Sequence, residues 1–299
     1  MRILSILLAC ASILACSGRR ISGSLDAGTS SEAGLDGAPL DGGSGDGALA
    51  DASTDAAPLP EEVVIYAHSS DTLYAFSPWT LTVSEIGPFV TATGESPAGI
   101  FDLAVDREGN VFVADVDALF SVDPLTAQIT RIGAFGVGSE QLNALSFLAP
   151  GEVGSGQALL GATNAGAYYL VDRSTGAASF LGQYPDGWLS SGDIVSVEGL
   201  GTFATVKRPD FPSDVLVQLL FAADGSSAVS IKGPIKSATQ DFTRIFGVGY
   251  WGRVLYGFSA AGELIEIDRD TGAGQIVSAT TGTSQFWGAG VTTRVPVLF

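Results

Sequence analysis

Five times along the chain an apolar run breaks at a short acidic or Pro-bearing turn and resumes as a second run heading toward Gly. The breaks are Ser77-Pro78-Trp79-Thr80, Asp123-Pro124-Leu125-Thr126, Asp172-Arg173-Ser174-Thr175-Gly176, Asp224-Gly225-Ser226-Ser227 and Asp268-Arg269-Asp270-Thr271-Gly272. A recurrence of about 45–50 residues marks a repeat in which no unit buries its own apolar face, so neighbours stack around a common axis. In the best-formed unit, the runs from Phe101 to Asp106, Asn110 to Asp115, Ala118 to Val122 and Gln128 to Gly133 read as four strands. Asp106-Arg107-Glu108-Gly109-Asn110 supplies the Gly and Asn that a tight hairpin requires. Four strands per repeat make one blade of a β-propeller.

Residues near 142–184, 193–235 and 243–280 follow the same plan. The segment holding Val63 to Ala67, Leu73 to Phe76 and Val83 to Gly87 supplies only three strands, and the missing inner one lies at the other end of the chain. There Phe286-Trp287-Gly288-Ala289-Gly290-Val291 reads like Ile245-Phe246-Gly247-Val248-Gly249-Tyr250, which opens the preceding unit. The expected fold is therefore all-β, a five-bladed β-propeller whose C-terminal strand completes the N-terminal blade and closes the ring, leaving no open sheet edge. The spacings on either side of residue 193 leave no room for a sixth blade. The tail from Thr293 to Phe299 is expected to cover an edge. The stretch Leu103-Ala104-Val105-Asp106-Arg107-Glu108-Gly109-Asn110-Val111-Phe112-Val113-Ala114-Asp115 resembles an NHL-type propeller repeat. The other units are similar only in outline to NHL-like or TolB-like repeats.

The first residues have a different pattern. Met1-Arg2, the apolar run from Ile3 to Ala15 and then Cys16-Ser17-Gly18 have the charged start, short apolar core and small-residue exit of an export signal. The run is too short for a permanent membrane helix. Ile13-Leu14-Ala15-Cys16 resembles the lipobox of bacterial lipoproteins, which implies acylation of Cys16 and an exported protein anchored in the cell envelope, with Ser17 compatible with the outer membrane. The domain plan is a signal peptide over 1–16, a linker over 17–60 and the propeller over 61–299. The linker is almost entirely Gly, Ala, Ser, Asp, Thr and Pro, cannot offset its ordering entropy by burial, and is expected to be disordered. As a flexible coil it would span roughly 35–40 Å. Its composition resembles the acidic spacers of myxobacterial surface lipoproteins.

Charge and cysteine use remove whole classes of function. Both cysteines, Cys10 and Cys16, lie in the signal, so the folded part has no disulfide, thiol nucleophile or thiolate metal site. Of 32 acidic and 14 basic residues, seven and three fall in residues 1–60, which leaves the domain near −14. Nucleic acid and anionic headgroups are disfavoured as partners.

Candidate chemistry then rests on the loops that gather at one end of a propeller channel. The loops entering the inner strands bring Tyr184, Asp186, Trp188, Asp241, Phe242 and Gln285 forward as an aromatic and polar ligand-binding set suited to sugars or peptide segments. Trp287, inside a strand, reads as a packing residue. Asp102, Asn143 and Asp193 at inner-strand starts are candidate oxygen ligands for an axial Ca²⁺ or Mg²⁺. His68, the only histidine, falls in a hairpin expected to be exposed, with Ser69 and Ser70 beside it and no orienting carboxylate evident; no catalytic set is assigned. Asp123, Asp172, Asp224 and Asp268 are expected to cap turns on the opposite face. The function expected is a lipid-anchored, non-enzymatic binding or scaffolding module for a protein, peptide or glycan, with no obligatory cofactor. The alternative is a metal-dependent hydrolase, lactonase-like or glycosidase-like, using the axial carboxylates.

Overall fold

The computed structural model describes residues 63–222 and 226–298; the signal, Cys16, the linker and Asp224 lie outside them. The described residues form strands and loops without a helix, arranged as five sheets. Blade 1 consists of Gly288–Gly290, Ile65–His68, Thr72–Ser77 and Thr82–Pro88, from the inside outward. Blade 2 runs through Asp102–Val105, Val111–Ala114, Ala118–Val122 and Gln128–Ala134, and blade 3 through Leu142–Leu148, Ala158–Thr163, Ala167–Val171 and Ala178–Gln183. Blade 4 is Leu189–Val197, Gly201–Lys207, Val215–Phe221 and Ser227–Pro234; blade 5 is Ile245–Trp251, Val254–Ser259, Leu264–Asp268 and Gly274–Ser278. The four strands named for each blade pair antiparallel with their neighbours.

Burial follows position within the blade. Asp102–Val105 and Val111–Ala114 are buried along their whole length, whereas Ala178–Gln183 has no buried residue. Inner strands are flanked on both faces by neighbouring blades and read as continuous apolar or small-residue runs; outer strands meet water and lose that character. The ring closes as the sequence implies, with Tyr66 paired to Gly290, Ala67 to Ala289 and His68 to Gly288. Outer turns also pack between blades. Gly176 of blade 3 lies against Gly133 of blade 2, and Gly272 of blade 5 against Gly233 of blade 4, each too close for a side chain on either glycine. The turn aspartates cap as expected: Asp172 accepts from the Ser174 amide at 2.8 Å and Asp268 from the Thr271 amide at 2.8 Å.

Two features depart from expectation. Val90–Thr91 adds a short parallel strand beside Gln128–Ile129, giving blade 2 a fifth strand. The C-terminal tail, expected to cover an edge, instead crosses the hairpin end of the ring. The Thr293 carbonyl accepts from the Glu198 amide at 2.8 Å, its hydroxyl accepts from Gln157 Nε2 at 3.1 Å, and the Leu298 amide donates to the Gly252 carbonyl at 2.9 Å. These contacts tie the tail to blades 3, 4 and 5. The other end of the ring is where chains enter the inner strands.

Candidate functional site

The five inner strands align as Phe101-Asp102-Leu103, Asn143-Ala144-Leu145, Gly192-Asp193-Ile194, Phe246-Gly247-Val248 and Trp287-Gly288-Ala289. The middle residue of each triplet forms an axial ring of two aspartates, one alanine and two glycines. Asp102 and Asp193 are fully buried, at 0% exposure. Asp102 accepts from the amides of Leu103 at 2.8 Å and Leu145 at 2.6 Å. Asp193 accepts from those of Ile194 at 2.6 Å and Val248 at 2.7 Å, and from that of Ala289. One backbone N–H from each blade thus converges on the carboxyl pair, and the two carboxyls hydrogen-bond to each other.

Electrostatics sorts the two. Burial, followed by the charge of Asp193, holds the Asp102 carboxyl well above the usual carboxylate range; burial likewise raises Asp193. Asp193 receives three N–H donors against two for Asp102, and each of these bonds works against the upward shift.

His68, expected in an exposed hairpin, is completely buried at 0% exposure, because it stands opposite Gly288 and fills the space that glycine leaves. Its Nδ1 donates to the Ser69 carbonyl at 2.6 Å, and its ring meets Phe89 edge-on. Burial lowers its pKa to about 4. The ring is neutral, with an unpartnered Nε2 that lies 3.9 Å from Asp102 Oδ1.

Of the axial cation set, the structure brings Asp102 and Asp193 together but not Asn143. The alignment places Ala144, not Asn143, level with the aspartates, and Asn143 Nδ2 donates to Asn164 Oδ1 at 3.0 Å. A one-residue offset reverses the side on which a strand residue lies. Among the described residues no group of three or more His, Cys, Asp or Glu is placed to hold a metal. The axial oxygens already face N–H donors, whose partial positive charge suits an anion and opposes a cation.

The proposed aromatic platform is likewise divided. Tyr184, Trp188 and Phe242 are 4%, 3% and 2% exposed, which makes them core residues. Tyr184 stacks on Tyr168 at 4.5 Å, and Trp188 is covered by the Arg208 guanidinium at 4.2 Å, itself forked onto Asp210. Phe242 packs in the core shared by blades 1, 4 and 5. Large rings at strand entries gain more from closing the blade ends than from water. Asp186, Asp241 and Gln285 are exposed, on three separate entry loops. Trp188→Ala is expected to destabilise the domain by about 3–5 kcal/mol, read as a lowered midpoint in urea; an unchanged midpoint would return Trp188 to the surface.

A different aromatic set was missed. The first residues of the aligned triplets, one position nearer the open end than the carboxyl pair, are Phe101, Asn143, Gly192, Phe246 and Trp287. Phe101, Asn143, Phe246 and Trp287 are all partly exposed, and the Phe101 and Trp287 rings lie 5.9 Å apart. Phe246 and Asn143 hold the same register position on blades 5 and 3, so these four residues mark a collar at the entry end of the inner strands. The signal was present in the sequence as an aromatic residue directly before Asp102, Gly247 and Gly288, legible once the axial register is known. At the opposite end, a cavity of about 480 Å³ between the tail and blades 1 and 2 is lined by Tyr66, Val105, Arg107, Thr292 and Arg294 among others.

No family model matches the chain, and no curated protein matches it. Solved structures that resemble it include that of U3-55K, at 10% identity and TM-score 0.40, over 71% of this chain and 59% of that one. A protein of unknown function from Bacteroides caccae matches at 10% identity and TM-score 0.38, over 77% of this chain and 98% of its own. A further protein of unknown function, from Bacteroides thetaiotaomicron, matches at 14% identity and TM-score 0.42 over 73% of this chain; this chain spans 58% of its length, as it spans 59% of U3-55K.

Proposed function

We propose that this protein is a non-enzymatic binding module, anchored in the cell envelope through Cys16, that holds a peptide, protein or glycan partner at the channel mouth. The observation that carries the reading is the collar of Phe101, Phe246 and Trp287 with Asn143, partly exposed at the end of the ring opposite the C-terminal tail. Rings that remain partly exposed at strand starts offer stacking surface, and an amide fixes orientation. Support for binding over metal-dependent hydrolysis comes from the axial carboxyls, which are fully buried and occupied by backbone N–H groups.

The test is retention on glycan and peptide arrays by the full chain and by its Trp287→Leu and Phe246→Leu variants. Hits retained by the parent are expected to weaken about tenfold in both variants, in line with one lost ring contact, with little change in melting temperature. Hits indifferent to both substitutions, or none on either array, would overturn the collar as the site. Thermal unfolding in Ca²⁺ and in EDTA is expected to coincide; a rise of several degrees in Ca²⁺ would move the hydrolase ahead.

A further inference from the structure

We infer that the hairpin end of the ring, on the side where the chain enters, docks on an electrically neutral phospholipid bilayer, seating Trp79 and Leu125 in its interface and turning the collar away from it. This rests on the anchorage through Cys16 proposed above. Three observations combine. First, four outer turns close alike, the fifth residue taking a positive φ and donating its amide to the carbonyl of the first: Leu81 to Ser77 at 2.9 Å, Ala127 to Asp123 at 2.8 Å, Gly176 to Asp172 at 2.7 Å and Gly272 to Asp268 at 2.8 Å. The third residue is exposed in all four. In blades 3 and 5 it is Ser174 and Asp270; in blades 1 and 2 it is Trp79, 53% exposed, and Leu125, 85% exposed. The same backbone forms with polar residues there, so the turn itself does not require the apolar ones. Blade 1 adds Leu81, exposed at a φ of 55° where blades 3 and 5 place the glycine that this conformation favours.

Second, these turns reach the first hairpin of the preceding blade. Arg173 Nη1 donates to Asp106 Oδ2 at 3.2 Å, and the Trp79 ring meets that of Trp251 at 4.5 Å. Leu298, also exposed, is bonded at Gly252 beside Trp251 and extends the apolar surface along the seam of blades 1 and 5. Third, the chain enters the ring at this end, where Val63 and Val64 line the cavity with Arg107 and Arg294. Trp79 lies on the blade it enters, and Leu125 on the turn that faces that blade. The anchor supplies proximity and the turns supply orientation. Two side chains hold a free protein to lipid too weakly, but a tethered domain needs only to bias an intramolecular equilibrium. Indole settles at the headgroup level, where one edge is apolar and the other wet. The acidic domain disfavours anionic headgroups, which leaves the neutral ones.

The test places the acylated chain on phosphatidylcholine and phosphatidylethanolamine vesicles, with or without bromine on the acyl chains next to the headgroup, and reads tryptophan emission. Bromine is expected to quench one tryptophan of the four, and Trp79→Phe is expected to abolish that quench. Leu125→Ser gives blade 2 the residue that blade 3 carries and touches no fluorophore; it is expected to lower the docked-to-free ratio about tenfold at an unchanged melting temperature. Flotation with the vesicles reads the anchor separately. A chain that floats but is not quenched keeps the anchor and overturns the docking, leaving the apolar turns to a protein partner; a chain that does not float overturns both. Quenching that survives Trp79→Phe and is lost in Trp287→Leu puts the collar against the lipid and overturns the orientation. Quenching indifferent to Leu125→Ser overturns the two-turn surface.

Discussion

Asp193→Ala is expected to remove most of the stability of the domain. The substitution strips the acceptor from three buried amides, Ile194, Val248 and Ala289, each on the inner strand of a different blade. It also removes the carboxyl that hydrogen-bonds to Asp102. An unsatisfied buried N–H costs about 1–3 kcal/mol. Three of them approach the whole stability of an ordinary domain, about 5–15 kcal/mol. Asp102→Ala orphans two amides, Leu103 and Leu145, and should be the milder of the pair. Urea denaturation of the two variants reads this order directly, and Asp193→Ala unfolding at the parent's midpoint would refute the axial network. The pH dependence has a definite sign. Asp102 titrates higher in the folded chain than in the unfolded one, so its contribution is fully present below the ordinary carboxylate pKa, about 3.9, and is lost as pH rises through its folded value. Asp102→Asn, which cannot ionise, should flatten that part of the stability profile.

The same axial network explains what could and could not be read from the sequence. Blade number and ring closure were legible because they are written as repeats: the acidic outer turns recur, and the segments around Gly247 and Gly288 read alike. Two aspartates at inner-strand starts were visible as well. Their role was not, since a carboxyl pair that holds five strand amides and one that holds a cation have the same sequence signature. Asn143 joined that set through a slip of one residue, which only the cross-blade bond from Leu145 to Asp102 resolves. His68 was misplaced for a related reason. Its polarity and its serine neighbours suggest a wet hairpin, and nothing local shows that Gly288, over 200 positions away, leaves a hole for its ring. Trp188 and Phe242 were found as entry-loop aromatics but not as core, because burial there is decided by Arg208 and by packing across blades.

Gly288→Ala is the sharpest test of how the ring is sealed. Gly288 is not among the positive-φ glycines, so an alanine there meets no backbone penalty and any loss is steric. An added Cβ would overlap Asp102 Oδ1 and His68 Nε2 together. Neither can yield. Asp102 is held by the amides of Leu103 and Leu145, and the His68 ring is tied to Ser69 and packed on Phe89. One methyl group too many in a close-packed interior costs about 1–3 kcal/mol, and more where the surroundings are fixed. Here the strain falls on the three-residue pairing that joins the C-terminal strand to the N-terminal blade. The expected result is a loss at or above that range, with hydrogen exchange fastest at Tyr66 to His68 as the closure opens ahead of the rest. Gly154→Ala serves as the control, since a Cβ there meets nothing within 4 Å and its φ is not positive; it should stay within about 0.5 kcal/mol of the parent. If Gly288→Ala behaves like Gly154→Ala, the axis is not close-packed, and the sealing of the ring by Asp102 and His68 against Gly288 is refuted.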